Sequence, residues 1–164
     1  MRALVHACSV GLALAASPAA AQLSNHGIAV ESGISAPLGG GGGAAVAVAL
    51  SASTWLEGDV EGVARVALAS ARGTDGRAAA PALSGTVGLR LSLGRAPIRP
   101  HVFVEAGWAS LARDGRRSGA LAAGVGAAVE WFAAGDLSLG ARAALRVAGG
   151  APALDLSLAL SGYF

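Results

Sequence analysis

Few residues of this 164-residue sequence have side chains suited to catalysis or metal binding. After an N-terminal segment of 21 residues, the histidines are His26 and His101. Neither has a hydroxyl or carboxylate residue at a spacing typical of a catalytic site. Cys8 is the single cysteine and lies within the N-terminal segment. The rest of the chain can therefore form neither a disulfide nor a thiolate metal site. We predict no catalytic residue, no metal and no cofactor.

Two kinds of glycine motif are similar to ligand-binding loops but lack their essential residues. The run Gly39–Gly43 has no following Lys-Ser/Thr and no helix to present backbone amides to a phosphate. Asp75-Gly76 and Asp114-Gly115 have too few neighbouring carboxylates to hold calcium. We interpret all three as turns or flexible loops.

The N-terminal segment, residues 1–21, has the pattern of a secretory signal peptide. It combines Arg2, an apolar stretch from Ala3 to Ala16, and a small-x-small exit that ends at Ala21. The apolar stretch is too short to stay in a bilayer as a helix. We predict cleavage after Ala21, which leaves residues 22–164 as one exported domain.

The composition favours a membrane protein that has no spanning helix. The chain is 54% hydrophobic and only 13% charged, well below the charged fraction of an ordinary soluble domain. Polar residues or glycine interrupt every later apolar run before it reaches the roughly 20 residues that a spanning helix needs. The formal net charge of +2 comes from scattered arginines without lysine, which argues against a nucleic-acid-binding protein.

Apolar residues alternate with small or polar residues in eight segments. This alternation is typical of strands whose two faces meet different surroundings. It predicts an all-β fold, an eight-stranded antiparallel transmembrane β-barrel with the aliphatic face outside. A secreted β-sandwich with that face inside is the alternative. The predicted strands are Gly27–Ser35, Ala44–Leu56, Asp59–Ser70, Leu83–Gly94, His101–Leu111, Leu121–Phe132, Leu137–Val147 and Leu154–Phe164.

Charged residues of these segments fall on the non-aliphatic face, which lies inside the predicted barrel. Such a narrow interior is filled by side chains, so these charges must pair. We predict a polar plug and leave a gate or ion path as the alternative. With residues 149–152 as the last turn, Arg146 is predicted to lie opposite Asp155. The predicted plug consists of Glu31, Glu61, Arg65, Arg90, Glu105, Glu130, Arg142, Arg146 and Asp155.

The connections predict which end of the barrel faces the cell exterior. If the first strand starts at the periplasm, three of the four external connections are longer than the periplasmic turns, as in known barrels. The predicted external connections are 37–43, 71–82, 112–120 and 148–153. The predicted periplasmic turns are 57–58, 95–100 and 133–136. All aromatic residues of 22–164 except Trp108 then fall at or near the periplasmic strand ends, where a girdle is expected. The predicted girdle consists of Trp55, Phe103, Trp131, Tyr163 and Phe164.

Three short runs resemble strands of bacterial outer-membrane barrels, and of OmpA-like barrels in particular. Residues 154–164 resemble the terminal strand of such proteins, in which Phe is the last residue. Residues 99–107 are similar to the Arg-Pro turn and following strand of OmpA-like barrels, and residues 124–131 with 135–139 are similar to the next hairpin. His101 and Trp131 stand where tyrosine is more usual. The resemblance implies location in the outer membrane and recognition of the strand ending at Phe164 by the barrel-assembly machinery.

These observations together predict a non-enzymatic integral outer-membrane protein. We expect a monomer that contacts outer-membrane lipids, binds no nucleic acid, and serves envelope structure or surface interaction through its external loops. A narrow pore and a small lipid A-modifying barrel enzyme are the alternatives. Against the enzyme, both histidines are predicted at the periplasmic end, away from the outer leaflet, and no His-x-Ser motif of a deacylase is present.

Overall fold

The alternating segments form eight antiparallel strands in a computed structural model that describes residues 26–39, 43–71, 82–94, 97–113 and 116–164. The strands are β1 (His26–Pro37), β2 (Ala45–Glu57), β3 (Val60–Ala71), β4 (Ala82–Ser92), β5 (Ile98–Arg113), β6 (Arg116–Ala134), β7 (Leu137–Ala148) and β8 (Ala151–Tyr163). The predicted signal peptide, its cleavage site, Gly40–Gly42, Asp75-Gly76 and Asp114-Gly115 lie outside the described residues.

Each strand pairs with its neighbours in sequence, and β1 also pairs with β8, which closes the barrel. The closure brings the two ends of the described chain together. The amide of Phe164 donates to the carbonyl oxygen of His26 at 2.9 Å, and the His26 amide donates back to Phe164 at 3.3 Å. The predicted eight-stranded antiparallel barrel is confirmed. None of the described residues forms a helix long and apolar enough to cross a membrane.

The two faces of the barrel have opposite character. Aliphatic side chains such as Val30, Leu50, Leu89 and Val104 are more than half exposed on the outside. Charged and small residues occupy the inside. A soluble monomer rarely exposes so large a continuous apolar surface, and the alternative β-sandwich requires these side chains in its core. The structure therefore has the inside-out arrangement predicted for a membrane barrel.

Inner-face glycines let the strands curve tightly around the narrow interior. A Cβ atom on Gly33 would collide with the backbone of Leu156 and Ser157 in β8. A Cβ atom on Gly107 would collide in the same way with Gly85 and Thr86 in β4. A side chain at either position would force adjacent strands apart.

Two predicted connections are shorter than expected. β5 and β6 stay paired as far as Arg113 and Arg116, so most of the predicted loop 112–120 is a hairpin. The last hairpin turns at Gly149 and Gly150, whose φ angles of 57° and 82° suit a tight two-residue turn. Ala148 therefore pairs with Ala151, and the predicted turn at residues 149–152 is wrong.

Candidate functional site in the barrel interior

The structure places all nine predicted plug residues on the inner face, and each lies close to a residue of opposite charge. Glu61 is the most deeply buried carboxylate, at 1% exposure. All five pairs join different strands, and three of them link strands that are not neighbours in the sheet. The pairs are Glu31–Arg65 at 3.0 Å, Glu61–Arg90, Glu105–Arg142 at 2.9 Å, Glu130–Arg90 at 3.9 Å and Asp155–Arg146 at 3.0 Å.

The predicted register of the last ion pair is wrong, although the pair forms. Arg146 lies opposite Ala153, and Asp155 lies opposite Ala144. The shorter turn shifts the strands by two residues, which keeps both charges on the inner face. Arg146 Nε and Asp155 Oδ2 therefore meet diagonally at 3.0 Å, a separation that long side chains span across a sheet.

The densest set of polar contacts surrounds Glu130, close to the end of the barrel that holds both termini. Its Oε1 accepts hydrogen bonds from Ser138 Oγ at 2.5 Å and Tyr163 Oη at 2.6 Å. Its Oε2 lies 3.1 Å from His101 Nε2 and 3.9 Å from Arg90 Nη1. These residues form the Glu130 cluster. Four donor groups surround one carboxylate, which offsets much of the cost of burying its charge.

Arg90 joins the Glu130 cluster to Glu61. Arg90 Nε donates to Glu61 Oε2 at 2.8 Å, and Nη2 donates to the same carboxylate. Arg90 Nη2 also lies 3.3 Å from the Tyr163 hydroxyl. The guanidinium group thus bridges two carboxylates and a phenol, and we expect it to hold strands β3, β4, β6 and β8 together at this level.

His101 has two side-chain partners that its surroundings in the sequence do not indicate. Its Nδ1 lies 3.0 Å from Ser92 Oγ, and its Nε2 lies 3.1 Å from Glu130. A hydroxyl, an imidazole and a carboxylate in series is an arrangement that can activate a nucleophile. However, Ser92 is 4% exposed and His101 is 1% exposed, so both lie in the packed interior. The direct pairing of Ser92 with His101 between β4 and β5 is the signal that could have revealed the contact.

No protein-family model and no curated protein sequence matches this chain. Solved structures match it over most of its length. Neisserial surface protein A is 13% identical, with 85% of this chain and 97% of that chain covered and a TM-score of 0.70. The N-terminal β-barrel domain of Pseudomonas aeruginosa OprF is also 13% identical, with 84% and 97% covered and a TM-score of 0.64. This chain has the fold of the eight-stranded outer-membrane β-barrels.

The same fold also occurs in an enzyme. The outer-membrane enzyme PagL is 17% identical to this barrel, with 83% of this chain and 99% of that chain covered and a TM-score of 0.55. Identities this low establish the fold alone. Within the described part of the barrel, no three His, Cys, Asp or Glu side chains lie close enough to hold a metal ion.

The predicted aromatic girdle needs correction, because some of its residues point into the barrel. Trp131 and Phe164 are 51% and 65% exposed on the outside, as a girdle requires. Phe103 and Tyr163 are buried at 9% exposure, and Phe103 stacks under the Arg142 guanidinium at 4.3 Å. Trp55 is half-buried and pairs with Glu61, an inner-face residue. Closeness to a strand end predicts the depth of an aromatic ring in the membrane. The alternation of side chains along the strand decides whether the ring lies outside or inside the barrel.

Proposed function

We propose that this chain is an integral outer-membrane protein without enzymatic activity, which serves envelope structure or surface interaction. The observation that carries the proposal is the aliphatic outer surface around an interior whose charges are paired. The outer surface suits lipid, where apolar side chains need no cover. The paired interior serves to brace the strands, and the Ser92 hydroxyl that contacts His101 is buried within it.

The orientation follows from the connections at the two ends. The connections that join β2 to β3, β4 to β5 and β6 to β7 lie at the end that holds both termini and contain two to five residues. The two longest connections, 38–44 and 72–81, lie at the opposite end. Periplasmic turns are short in barrels of this class, so we place the termini in the periplasm and the longer connections outside the cell. Trp131 and Phe164 then contribute to the periplasmic girdle. We also propose export by a cleaved signal peptide, assembly through the strand that ends at Phe164, and a monomeric state.

Fractionation followed by electrophoresis of unboiled and boiled samples tests this proposal. We expect the protein in the detergent-extracted outer-membrane fraction, with a mobility that changes on boiling because a closed barrel resists unfolding in detergent. Mass measurement of the extracted protein should show Gln22 as its first residue. Recovery in the soluble fraction with a single mobility would contradict the location, and a mass that includes Met1 would contradict the cleavage.

A second candidate is a hydrolase that uses Ser92, His101 and Glu130. The order of the three groups favours it, and PagL is an enzyme with the same fold. The burial of Ser92 argues against it, because a nucleophile must reach its substrate. A fluorophosphonate probe distinguishes the two candidates. Labelling of the folded protein that disappears in Ser92→Ala and persists in Ser84→Ala would establish the hydrolase and overturn the proposal above.

A further inference from the structure

The barrel interior is hollow towards the longer connections and packed towards the termini. At the hollow end, alanine is the most frequent residue on the inner faces of β2, β3, β4, β5 and β7. These small side chains leave a cavity of about 70 Å³. One water position needs roughly 10–15 Å³, so several waters fit. The alanines that line this cavity, here called the vestibule, are Ala47, Ala49, Ala67, Ala69, Ala82, Ala109 and Ala148.

The floor of the vestibule is the ion pair between Glu31 and Arg65. Glu31 Oε2 accepts hydrogen bonds from Arg65 Nε at 3.0 Å and from Ser157 Oγ at 3.3 Å. A second cavity of about 60 Å³ lies beyond this pair, beside Phe103 and Arg142. Both cavities border Glu31 and Arg65, so this pair separates the vestibule from the middle of the barrel.

Below the second cavity, the interior is tightly packed. Ser138 has no exposed surface, and Glu61 and His101 are 1% exposed. These side chains belong to the Glu130 cluster or contact it through Arg90. A solute that approaches from the terminal end therefore meets a closed set of hydrogen bonds instead of small side chains.

The vestibule also contains a polar atom that lacks a partner. Asp155 lines the cavity and is buried, and its Oδ2 lies 3.0 Å from Arg146 Nε. Its other oxygen, Oδ1, is shielded and has no hydrogen-bond donor among the described protein atoms. Leaving a buried acceptor without a donor is energetically costly, so a donor from water or from a small solute is expected there.

We propose that the vestibule is a one-ended binding pocket that admits water and small neutral hydroxyl compounds from the end of the longer connections. The four charges of its lining form two ion pairs, Glu31–Arg65 and Asp155–Arg146. An ion that enters the vestibule loses hydration, and the paired charges of the lining carry no net charge that would compensate this cost. A neutral hydroxyl group can donate to Asp155 Oδ1 without that penalty. This inference depends on the barrel fold and not on the proposed cellular location.

Single cysteines test the access route without background, because residues 22–164 contain no cysteine. Ala67→Cys places a thiol in the vestibule, Ser138→Cys places one in the Glu130 cluster, and Ala151→Cys places one on the exposed last turn. The folded protein is treated with hydroxyethyl methanethiosulfonate, which is small, neutral and hydroxyl-bearing. We expect complete reaction at Ala151→Cys, slower but complete reaction at Ala67→Cys, and none at Ser138→Cys until the barrel is unfolded.

The charged analogue sulfonatoethyl methanethiosulfonate tests the ligand class. For each reagent, the rate at Ala67→Cys is divided by the rate at Ala151→Cys. We expect this normalised rate to be lower for the charged reagent than for the neutral one. An unreactive Ala67→Cys, or equal normalised rates, would overturn the proposal. Equal reaction at Ser138→Cys and Ala67→Cys would show an interior open at both ends and would also overturn it. Ser161→Cys, another buried inner-face position near the termini, replaces Ser138→Cys if that variant does not fold.

Discussion

Glu130 is the residue whose removal should damage the interior most. Its carboxylate accepts from Ser138 and Tyr163 and faces His101 and Arg90. Glu130→Gln keeps the shape but removes the charge, and loss of one partner from a buried pair typically costs about 3–5 kcal/mol. Urea unfolding of the refolded barrel in detergent or liposomes measures this loss.

The matched control is Glu57→Gln at the exposed β2–β3 turn. It should change the unfolding free energy by no more than about 0.5 kcal/mol, as exposed substitutions usually do. Similar losses for the two variants would mean that the Glu130 cluster does not stabilise the barrel.

Arg146 and Asp155 should show energetic coupling despite their diagonal placement. Each single alanine variant leaves the other charge partly buried and unpaired, whereas the double variant removes both charges. We therefore expect the double variant to lose less stability than the sum of the singles, with a coupling of about 0.5–3 kcal/mol. Additive losses in the same urea titrations would show that the 3.0 Å contact contributes nothing.

Alternation predicts which residues lie inside but not which of them touch. All nine plug residues lie on the predicted face because the side-chain period of a strand is two. Ser138, His101 and Tyr163, three of the partners of Glu130, are 8, 29 and 33 residues away in sequence. Their meeting depends on the stagger of several strands around a closed ring, which local patterns do not specify. The Ser92–His101 contact is more local, because the two residues are 9 positions apart and lie directly opposite each other in neighbouring strands.

At the scale of single elements, the last hairpin depends on glycine. Gly149 and Gly150 both have positive φ, which costs other residues about 1–2 kcal/mol. We expect Gly150→Ala to lower the unfolding free energy by that amount. Gly135→Ala is the control, because Gly135 also lies in a hairpin turn, has no positive φ, and has open space around it. Equal effects on urea unfolding would contradict the turn geometry.

The same hairpin shows where element boundaries can be predicted. Gly-Gly is a known signal for a two-residue hairpin turn, so the correct register was available from the sequence. The predicted turn also included Ala151 and Pro152, and this shifted the predicted register by two residues from the observed one. The extension of β5 and β6 to Arg113 and Arg116 had a comparable signal in the sequence, because the two residues between them are Asp114-Gly115 and Asp-Gly is also typical of a two-residue hairpin turn.

For the whole molecule, the decisive property is that the barrel is apolar outside. Leu89 is 51% exposed on the outer face, and Leu89→Arg should cost about 2–4 kcal/mol if that face meets lipid at mid-membrane. Ala151→Arg, on the exposed last turn, should cost less because the new charge stays in water. Refolding into liposomes followed by urea titration compares the two variants. Equal costs would contradict the assignment of the outer face to lipid.

The pairing of β1 with β8 has a consequence for the order of folding. Every other strand pair joins neighbours in sequence, whereas this one joins residues more than a hundred positions apart. Contacts of such long sequence separation form slowly, because closing a large loop costs chain entropy before any bond is gained. Until β8 reaches β1, the sheet is open and has two unpaired edges that can join other chains. Refolding should therefore pass through a late closing step, and dilution should favour the closed monomer over aggregates.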